Sequence, residues 1–245
     1  MAAPEAGDRG AASYVGVIPA LNAASTLGPV VAGALHHLPR VLVVDDGSTD
    51  ATSDCARAAG AEVVRHEENR GKGAALATAF EHLLSGPPFE AAVTLDADGQ
   101  HDPKDIPALV ERHRRGRPAL IVGSRDRQFA SMWGPRRAMN RFSSASLRLF
   151  TGIDLPDSQS GFRVYDAAFL RRLRLAGRRY EAEMEALMRA AEWRLPVASV
   201  PIELRVVDGR STSHYRPLGD TLRIVGTVLR HWTRRVLRPS RRDAG

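Results

Sequence analysis

Short apolar runs alternate with longer mixed stretches through the first half of the chain, and each change of period marks a new element. Residues 13–20 (SYVGVIPA), 40–46 (RVLVVDD), 61–66 (AEVVRH), 89–98 (FEAAVTLDAD) and 118–125 (PALIVGSR) are short and largely apolar, the pattern of strands buried on both faces. Between them, residues 25–38, 49–60, 71–84 and 103–116 predict helices. Ser25 or Thr26 caps the first, Asp50 stands near the start of the second, and Gly60 closes it. This β-α alternation predicts an α/β fold, a mostly parallel central sheet flanked by helices on both faces. Ligands of such sheets bind outside the carboxyl ends of the strands. The residues at those ends are 19–22, 45–46, 96–100 and 123–125.

The second half is less regular. Residues 136–150 predict a basic amphipathic helix, 157–166 a loop running into a strand, 180–193 a helix, and 195–207 a strand pair broken at Pro201. A last helix is predicted over 221–237. In and just before it, Leu218, Leu222, Val225, Leu229, Trp232 and Val236 step by threes and fours, with Arg223, Arg230, Arg234, Arg238 and Arg241 on the other side. Such a helix suits an anionic membrane surface, a membrane-spanning subunit, or the domain's own core. No repeat and no clear linker interrupts the chain. The reading is one domain over 13–216, a disordered tail at 1–12, and a basic helix and tail at 217–245.

Composition changes this picture little. The 245 residues, 43% hydrophobic and 26% charged, fit an ordinary globular enzyme. Cys55 is the one cysteine, so no internal disulfide forms and a reducing compartment fits best. The N-terminus has no signal-peptide core, and no segment reaches the roughly 20 apolar residues of a membrane span. The expectation is a soluble or peripheral protein of the cytoplasm. Charge adds more: a net charge of +7 favours an anionic partner. The basic residues concentrate after residue 111.

The densest chemistry lies in TLDADGQHDP, residues 94–103. If the backbone stays extended, Asp96 and Asp98 point to one side, because the strand period is two. With Gln100 they form a hard-oxygen donor set, suited to Mg²⁺ or Mn²⁺ rather than Zn²⁺, with positions left for diphosphate oxygens. The same Asp-x-Asp-Gly string also suits a plain turn. Asp102, before Pro103, reads as a helix N-cap.

Six stretches occur in order: VIPALNAASTL, VVDDGSTDAT, NRGKGAAL, TLDADGQHDP, VGSR and DSQSGFRVY. Together they resemble the family-2 glycosyltransferases of the GT-A fold, and within these the dolichol- and polyprenyl-phosphate mannosyltransferase group. The resemblance covers roughly residues 14–215. It implies that Asp96 and Asp98 hold Mg²⁺ or Mn²⁺, with Gln100 placed to join them. It implies that Pro19, Leu21, Ala23 and the Asp45–Asp46 pair, with Asp96 and Ala97, receive a nucleotide-sugar donor such as GDP-mannose or UDP-glucose. Leu21 and Ala23 stand where some relatives carry an aromatic and an acidic residue, which leaves the base open between guanine and uracil. Asp98 and Arg125 become the catalytic pair, and Arg125, Arg136, Arg137 and Arg163 the contacts of an acceptor phosphate, matched by arginine forks. Arg136, Arg137 and Arg141 equally fit a solvated basic face. Asp157 and Gln159 fall on the acceptor side without an assigned role.

In NRGKGAAL, Gly71 and Gly73 open a helix whose first N–H groups suit phosphate, though the spacing is not that of a Walker loop. Arg70 and Lys72 read either as donor contacts or as surface charges. Many relatives have a lysine where this chain has Thr212; Arg210, His214 or Arg216 stands in for it at the donor.

A phosphate acceptor has a second pKa of about 6 and arrives largely dianionic, so it attacks without a general base; a hydroxyl acceptor needs one. The resemblance implies a single in-line displacement with inversion. The expected activity is metal-dependent transfer of a hexose, mannose or glucose, to a polyprenyl phosphate, at the cytoplasmic face of a membrane. A hydroxyl acceptor on the same fold is the nearest alternative. A non-catalytic partner subunit is argued against by the intact Asp96–Asp98 pair. A nucleic-acid-binding module is not expected, because no motif or aromatic-rich surface supports it. Tyr180, Glu183 and Glu185 either serve the site or carry surface charge on a helix.

Overall fold

The computed structural model describes residues 13–125, 134–177 and 181–205, without the side chains of 134–137, 139 and 150. The tail 1–12, Tyr180, Arg210, Thr212, His214, Arg216 and the helix and tail at 217–245 lie outside the described residues. In chain order the elements begin β1 (Tyr14–Ala20), α1 (Ala24–Leu35), β2 (Arg40–Asp45), α2 (Thr52–Ala58), β3 (Glu62–Arg65), α3 (Lys72–Ser85) and β4 (Ala91–Thr94). A 3-10 turn at Pro103–Asp105 then leads into α4 (Ile106–Gly116) and β5 (Leu120–Ser124). They continue with α5 (Gly134–Thr151), β6 (Arg163–Asp166), α6 (Ala167–Arg172), α7 (Glu181–Glu192) and β7 (Val197–Pro201).

The strands form one seven-stranded sheet in the order β3-β2-β1-β4-β6-β5-β7. All neighbours are parallel except β6, which runs antiparallel to both β4 and β5. Side chains alternate between two cores. Val15, Val17, Leu42 and Val44 pack on one side with Leu76 of α3, Phe169 of α6 and Leu187 of α7. Ile18, Val41 and Val43 pack on the other with Leu27 and Val31 of α1 and Leu109 of α4. Both faces are buried, which is why the strands read as continuous apolar runs. Each such fully buried Leu, Ile or Val contributes about 1.5–3 kcal/mol.

Several elements differ from the sequence reading. α1 begins at Ala24 with Ala23 at its N-cap and no side-chain cap, so neither Ser25 nor Thr26 caps it. β4 stops at Thr94, because residues 97 and 98 turn and Gly99 takes a positive φ of 75°. α6 follows β6 directly, started by the Asp166 carboxylate accepting from Ala168 N at 2.7 Å. Residues 195–207 give one strand that ends at Pro201, then an isolated bridge between Leu204 and His101. Among the described residues, no helix is long and apolar enough to cross a membrane.

The reversed strand positions the site. Arg163 of β6 pairs with Thr94 at the carboxyl end of β4 and with Val122 of β5. The loop before β6 therefore lies at the same end of the sheet as the carboxylate loop after β4. Thr94 Oγ1 donates to Gly161 O at 2.7 Å, and Gly123 N donates to Phe162 O at 2.8 Å, fastening that loop on both sides.

At the opposite end, Tyr14, His113 and Asp166 form a buried chain of hydrogen bonds. Tyr14 Oη lies 2.8 Å from His113 Nδ1, and His113 Nε2 lies 3.1 Å from Asp166 Oδ2. The carboxylate accepts, so Nε2 carries the proton, Nδ1 accepts from the tyrosine, and the ring is neutral. Burial holds His113 below its ordinary value of 6.5, against the opposing pull of Asp166. On acidification the unfolded chain therefore takes up this proton first, and stability is lost as pH falls below about 6.5. Urea unfolding followed against pH should show this decline, and His113→Gln, which cannot charge, should make it shallower, leaving the part that the buried His101 contributes. His113→Ala should cost about 2–4 kcal/mol at neutral pH, because it leaves a cavity and two orphaned partners.

Candidate active site

The loop after β4 is both of the things its sequence allows. It is a turn, with Asp98 Oδ1 accepting from Gln100 N at 3.0 Å. It also keeps the two carboxylates in one electrostatic neighbourhood. Burial, then the charge of Asp96, raises the Asp98 carboxyl above the usual range. Burial also pushes Asp96 upward, but Lys72 and His101 outweigh it and hold Asp96 far below the usual range. His101 is buried and pushed down to about 4, chiefly by burial. It is neutral near pH 7, and its Nδ1 accepts from Asp96 N at 3.3 Å.

The counter-charge of Asp96 is part of the chain. Lys72 Nζ lies 2.5 Å from Asp96 Oδ1 and 2.9 Å from Glu183 Oε1. Lys72 is the first residue of α3, and its place follows from Asp46. That carboxylate accepts from Arg70 N at 2.9 Å and Gly71 N at 2.7 Å, and from His66 Nδ1 at 2.7 Å. Both oxygens of Asp46 are thus engaged and the residue is 3% exposed. This corrects the expected contact with base or ribose: Asp46 fixes the start of α3 and so aims Lys72. Glu183 and Glu185 are buried, not surface charges. Glu183 meets Lys72, while Glu185 Oε2 accepts from Ala176 N at 2.9 Å and Gly177 N at 3.1 Å, closing the loop before α7.

Gly161 lies directly against the Lys72–Asp96 pair. A Cβ there would sit 2.7 Å from Lys72 Nζ and 2.8 Å from each Asp96 oxygen. Sequence reasoning passed over this glycine; its place just before an apolar strand, in a serine-rich loop, was the available sign.

At the end of β5, Asp157 grips Arg125. Asp157 Oδ2 accepts from Arg125 Nε at 2.5 Å and Oδ1 from Nη2 at 2.9 Å, a two-pronged pair. Burial raises Asp157, but its ion pair with Arg125 outweighs that and holds the carboxyl below the usual range. Arg125 remains 19% exposed, with Nη1 outside this pair. Its charge is felt at both Asp96 and Asp98. Beside it, Gln159 N donates to Asp157 Oδ1 at 3.1 Å, and its side-chain Nε2 is buried with no hydrogen-bond partner among the described residues. Arg163 is 0% exposed and donates to the carbonyls of Ser160, Glu183 and Ser158 at 2.7, 2.7 and 2.8 Å. The expected acceptor-phosphate contact is therefore corrected: this arginine ties the 157–162 loop to α7 from inside. Arg136 and Arg137 fall on α5, and their side chains lie outside the described residues.

Pro19 is next to last in β1, beside Val44, with Leu21 and Ala23 in the loop beyond. That loop is knitted to residues 47–52: Asn22 N donates to Ser48 Oγ at 2.9 Å and Ala23 N to Thr52 Oγ1 at 2.8 Å. Asp45 is fully buried and accepts from Ser48 N at 2.9 Å and from Ser53 Oγ, so it caps the turn that follows β2. Ala97 O accepts from Thr26 Oγ1 at 2.7 Å, which joins the carboxylate loop to α1. Asp102 caps the following turn through Lys104 N at 3.1 Å, as its sequence predicts.

The donor set fits a divalent metal. Among the described residues, no three His, Cys, Asp or Glu side chains close a metal cage. A catalytic ion with open positions needs fewer protein ligands. Asp98, raised by burial and then by its neighbour's charge, is the carboxyl beside which a hard cation would relieve the most repulsion.

A family model described as "Glycosyl transferase family 2" matches residues 17–174. The chain is a family-2 glycosyltransferase. This glycosyltransferase is 32% identical over 200 residues to an undecaprenyl-phosphate mannosyltransferase of Micrococcus luteus, covering 76% of this chain and 81% of that protein. It is 30% identical over 210 residues to a UDP-N-acetylglucosamine–dolichyl-phosphate N-acetylglucosaminyltransferase of Methanococcus voltae, covering 76% and 83%. Among solved structures, glucosyl-3-phosphoglycerate synthase of Mycobacterium tuberculosis is similar, in its complex with Mn²⁺, UDP and glucosyl-3-phosphoglycerate. It matches with a TM-score of 0.71 at 25% identity, over 91% of this chain and 80% of that one. The glycosyltransferase has the GT-A architecture expected from its motifs.

In this glycosyltransferase, Gly161→Ala should displace Lys72 and Asp96 while leaving the core intact. Activity should fall about a hundredfold, with a thermal midpoint within a few degrees of wild type. Calorimetry and a rate assay on the same preparation separate loss of the site from loss of the fold.

Proposed function

We propose that this enzyme moves a hexose from a nucleotide-diphosphate sugar to a polyprenyl phosphate, with inversion, at the cytoplasmic face of a membrane. The observation that carries this reading is the pairing of the carboxylates beside Arg125 and Lys72. Asp157 is tied to Arg125 and Glu183 to Lys72. A carboxylate held in an ion pair is a poor general base. A phosphate acceptor needs no base, because it brings its own negative oxygen. The similarity to transferases named for undecaprenyl and dolichyl phosphate supports the same acceptor.

The residues divide the work by charge. The exposed part of Arg125 meets the acceptor phosphate, and the fork with Asp157 fixes its direction. Arg136 and Arg137, expected to share this role, stand on α5 with side chains outside the described residues. Lys72, between Asp96 and Glu183, lies on the donor side, where it stabilises the diphosphate that gathers charge as the sugar leaves. Asp96 and Asp98, with Gln100, hold Mg²⁺ or Mn²⁺, which supplies Lewis-acid neutralisation of the same leaving group. Pro19, Leu21, Ala23 and Ala97 shape the nucleoside pocket; Arg210, expected at the donor, lies outside the described residues. A second reading, a hydroxyl acceptor on a small phosphorylated molecule, is favoured by the similarity to glucosyl-3-phosphoglycerate synthase.

Radiolabelled transfer decides between them. GDP-mannose and UDP-glucose are offered in turn with a short-chain prenyl phosphate or with 3-phosphoglycerate, with Mg²⁺, Mn²⁺ or chelator. Acid-labile lipid product with one donor, abolished by chelator, is expected. Asp98→Asn should lower the rate on the order of 10²-fold or more. Product on 3-phosphoglycerate alone would overturn the lipid acceptor, and an undiminished rate in chelator would overturn the metal.

A further inference from the structure

Helix α5 has two unlike faces. Its inner face grips the acceptor-side loop: Ser143 Oγ lies 2.9 Å from Ser158 Oγ, Ser158 N donates to Ser144 Oγ at 3.2 Å, and Leu147 is fully buried. Its outer face carries Ala138, Arg141, Phe142, Ala145, Arg148 and Leu149, all exposed and spaced as one helical stripe. Phe142 is 55% exposed and Leu149 79%, the exposed large hydrophobic residues among those described. A single exposed apolar side chain is ordinary. A phenylalanine and a leucine two turns apart, flanked by arginines on the same stripe, make a surface with a chemical preference.

We propose that this outer face of α5 lies on an anionic lipid surface, with Phe142 and Leu149 entering the acyl boundary and Arg141 and Arg148 at the headgroups. Charge selects this occupant. The chain carries +7, and among the described residues the stripe's acidic partner is Asp154, 3.6 Å from Arg148 in a pair exposed on both sides. Such an exposed pair is weak. A second copy docked symmetrically on the stripe would bring arginines against arginines, whereas phosphatidylglycerol headgroups bring the opposite sign. The face also lies where a lipid is useful. The loop held by its inner side contains Asp157, which aims Arg125, so a surface-bound α5 keeps the phosphate-binding arginine next to the bilayer. This deepens the lipid-acceptor reading but is read out without it.

The test is sedimentation of the full chain with phosphatidylcholine vesicles, with and without phosphatidylglycerol. Wild type should bind the anionic vesicles preferentially. The double variant Phe142→Asp with Leu149→Asp should lose about tenfold or more of that partition, with its circular dichroism and its rate on a water-soluble prenyl phosphate unchanged. Ala145→Leu, which widens the apolar stripe, should strengthen binding, an effect that a purely structural helix would not show. Equal binding of wild type and double variant would overturn the proposal and assign membrane contact to residues 217–245. Binding independent of phosphatidylglycerol, or no binding by wild type, would also overturn it. So would a wild-type dimer that the double variant separates, since a second copy would then cover the face. If neither protein transfers sugar to the prenyl phosphate but the vesicle difference persists, the acceptor reading fails and this one stands.

Discussion

The ammonium of Lys72, held between Asp96 and Glu183, is the interaction on which the rest of the site depends. It joins three elements that are far apart in the chain: the start of α3, the loop after β4 and the first turn of α7. Taking such charges out of water is costly unless each is paired and hydrogen-bonded. The surroundings satisfy that condition. Asp46 fixes the backbone at Arg70 and Gly71, so α3 begins where the lysine can reach. Gly161 leaves room for the pair by having no side chain. Arg163 accepts no ligand because its donors bind the loop to the Glu183 carbonyl. The consequence for chemistry is an asymmetric pair of carboxylates. Asp96 is compensated and held ionised, whereas Asp98 is raised by burial and by that fixed neighbour. A site with one satisfied and one unsatisfied carboxylate has a standing preference for a further positive charge beside Asp98.

Much of the architecture was legible because both faces of the sheet are covered. Residues 40–46 could be read as a strand since Val41 and Val43 serve one core and Leu42 and Val44 the other. The end of β4 was not legible, because Leu95 and Ala97 continue the apolar pattern while Gly99 breaks it with a positive φ. Helix α6 was hidden for a different reason: it is six residues long and starts on the cap supplied by the last residue of β6. No period develops in so short a piece.

The site was legible as a set of motifs and much less as a division of labour. Asp96, Asp98 and Arg125 come together at the strand ends, which an α/β pattern predicts. Asp46 and Arg163 sit in motifs of the same strength, yet both are consumed by the scaffold. A motif records that a residue type is needed at a position. It does not record whether the side chain faces a ligand or a backbone carbonyl. Glu183 and Glu185 show the reverse failure. Helical glutamates are ordinarily exposed, and nothing local to α7 announces that Lys72 and the amides of Ala176 and Gly177 will cover them.

Lys72 and Arg125 are not equivalent cations. The lysine is a compact charge on a flexible stem, able to follow a diphosphate as its charge grows. The arginine is a planar fork whose Nε and Nη2 are already spent on Asp157, so its remaining nitrogen has one direction to offer. In the proposed transfer, a mobile charge at the leaving group and a fixed one at the nucleophile suit a displacement in which the acceptor must be aimed and the donor must be released. The segment after β7 is coupled to the same loop. Arg205 N donates to Gln100 O at 2.8 Å, and its guanidinium lies 3.2 Å from Asp102. Residues 100–102, next to Asp98, are thereby stapled to the chain just after β7.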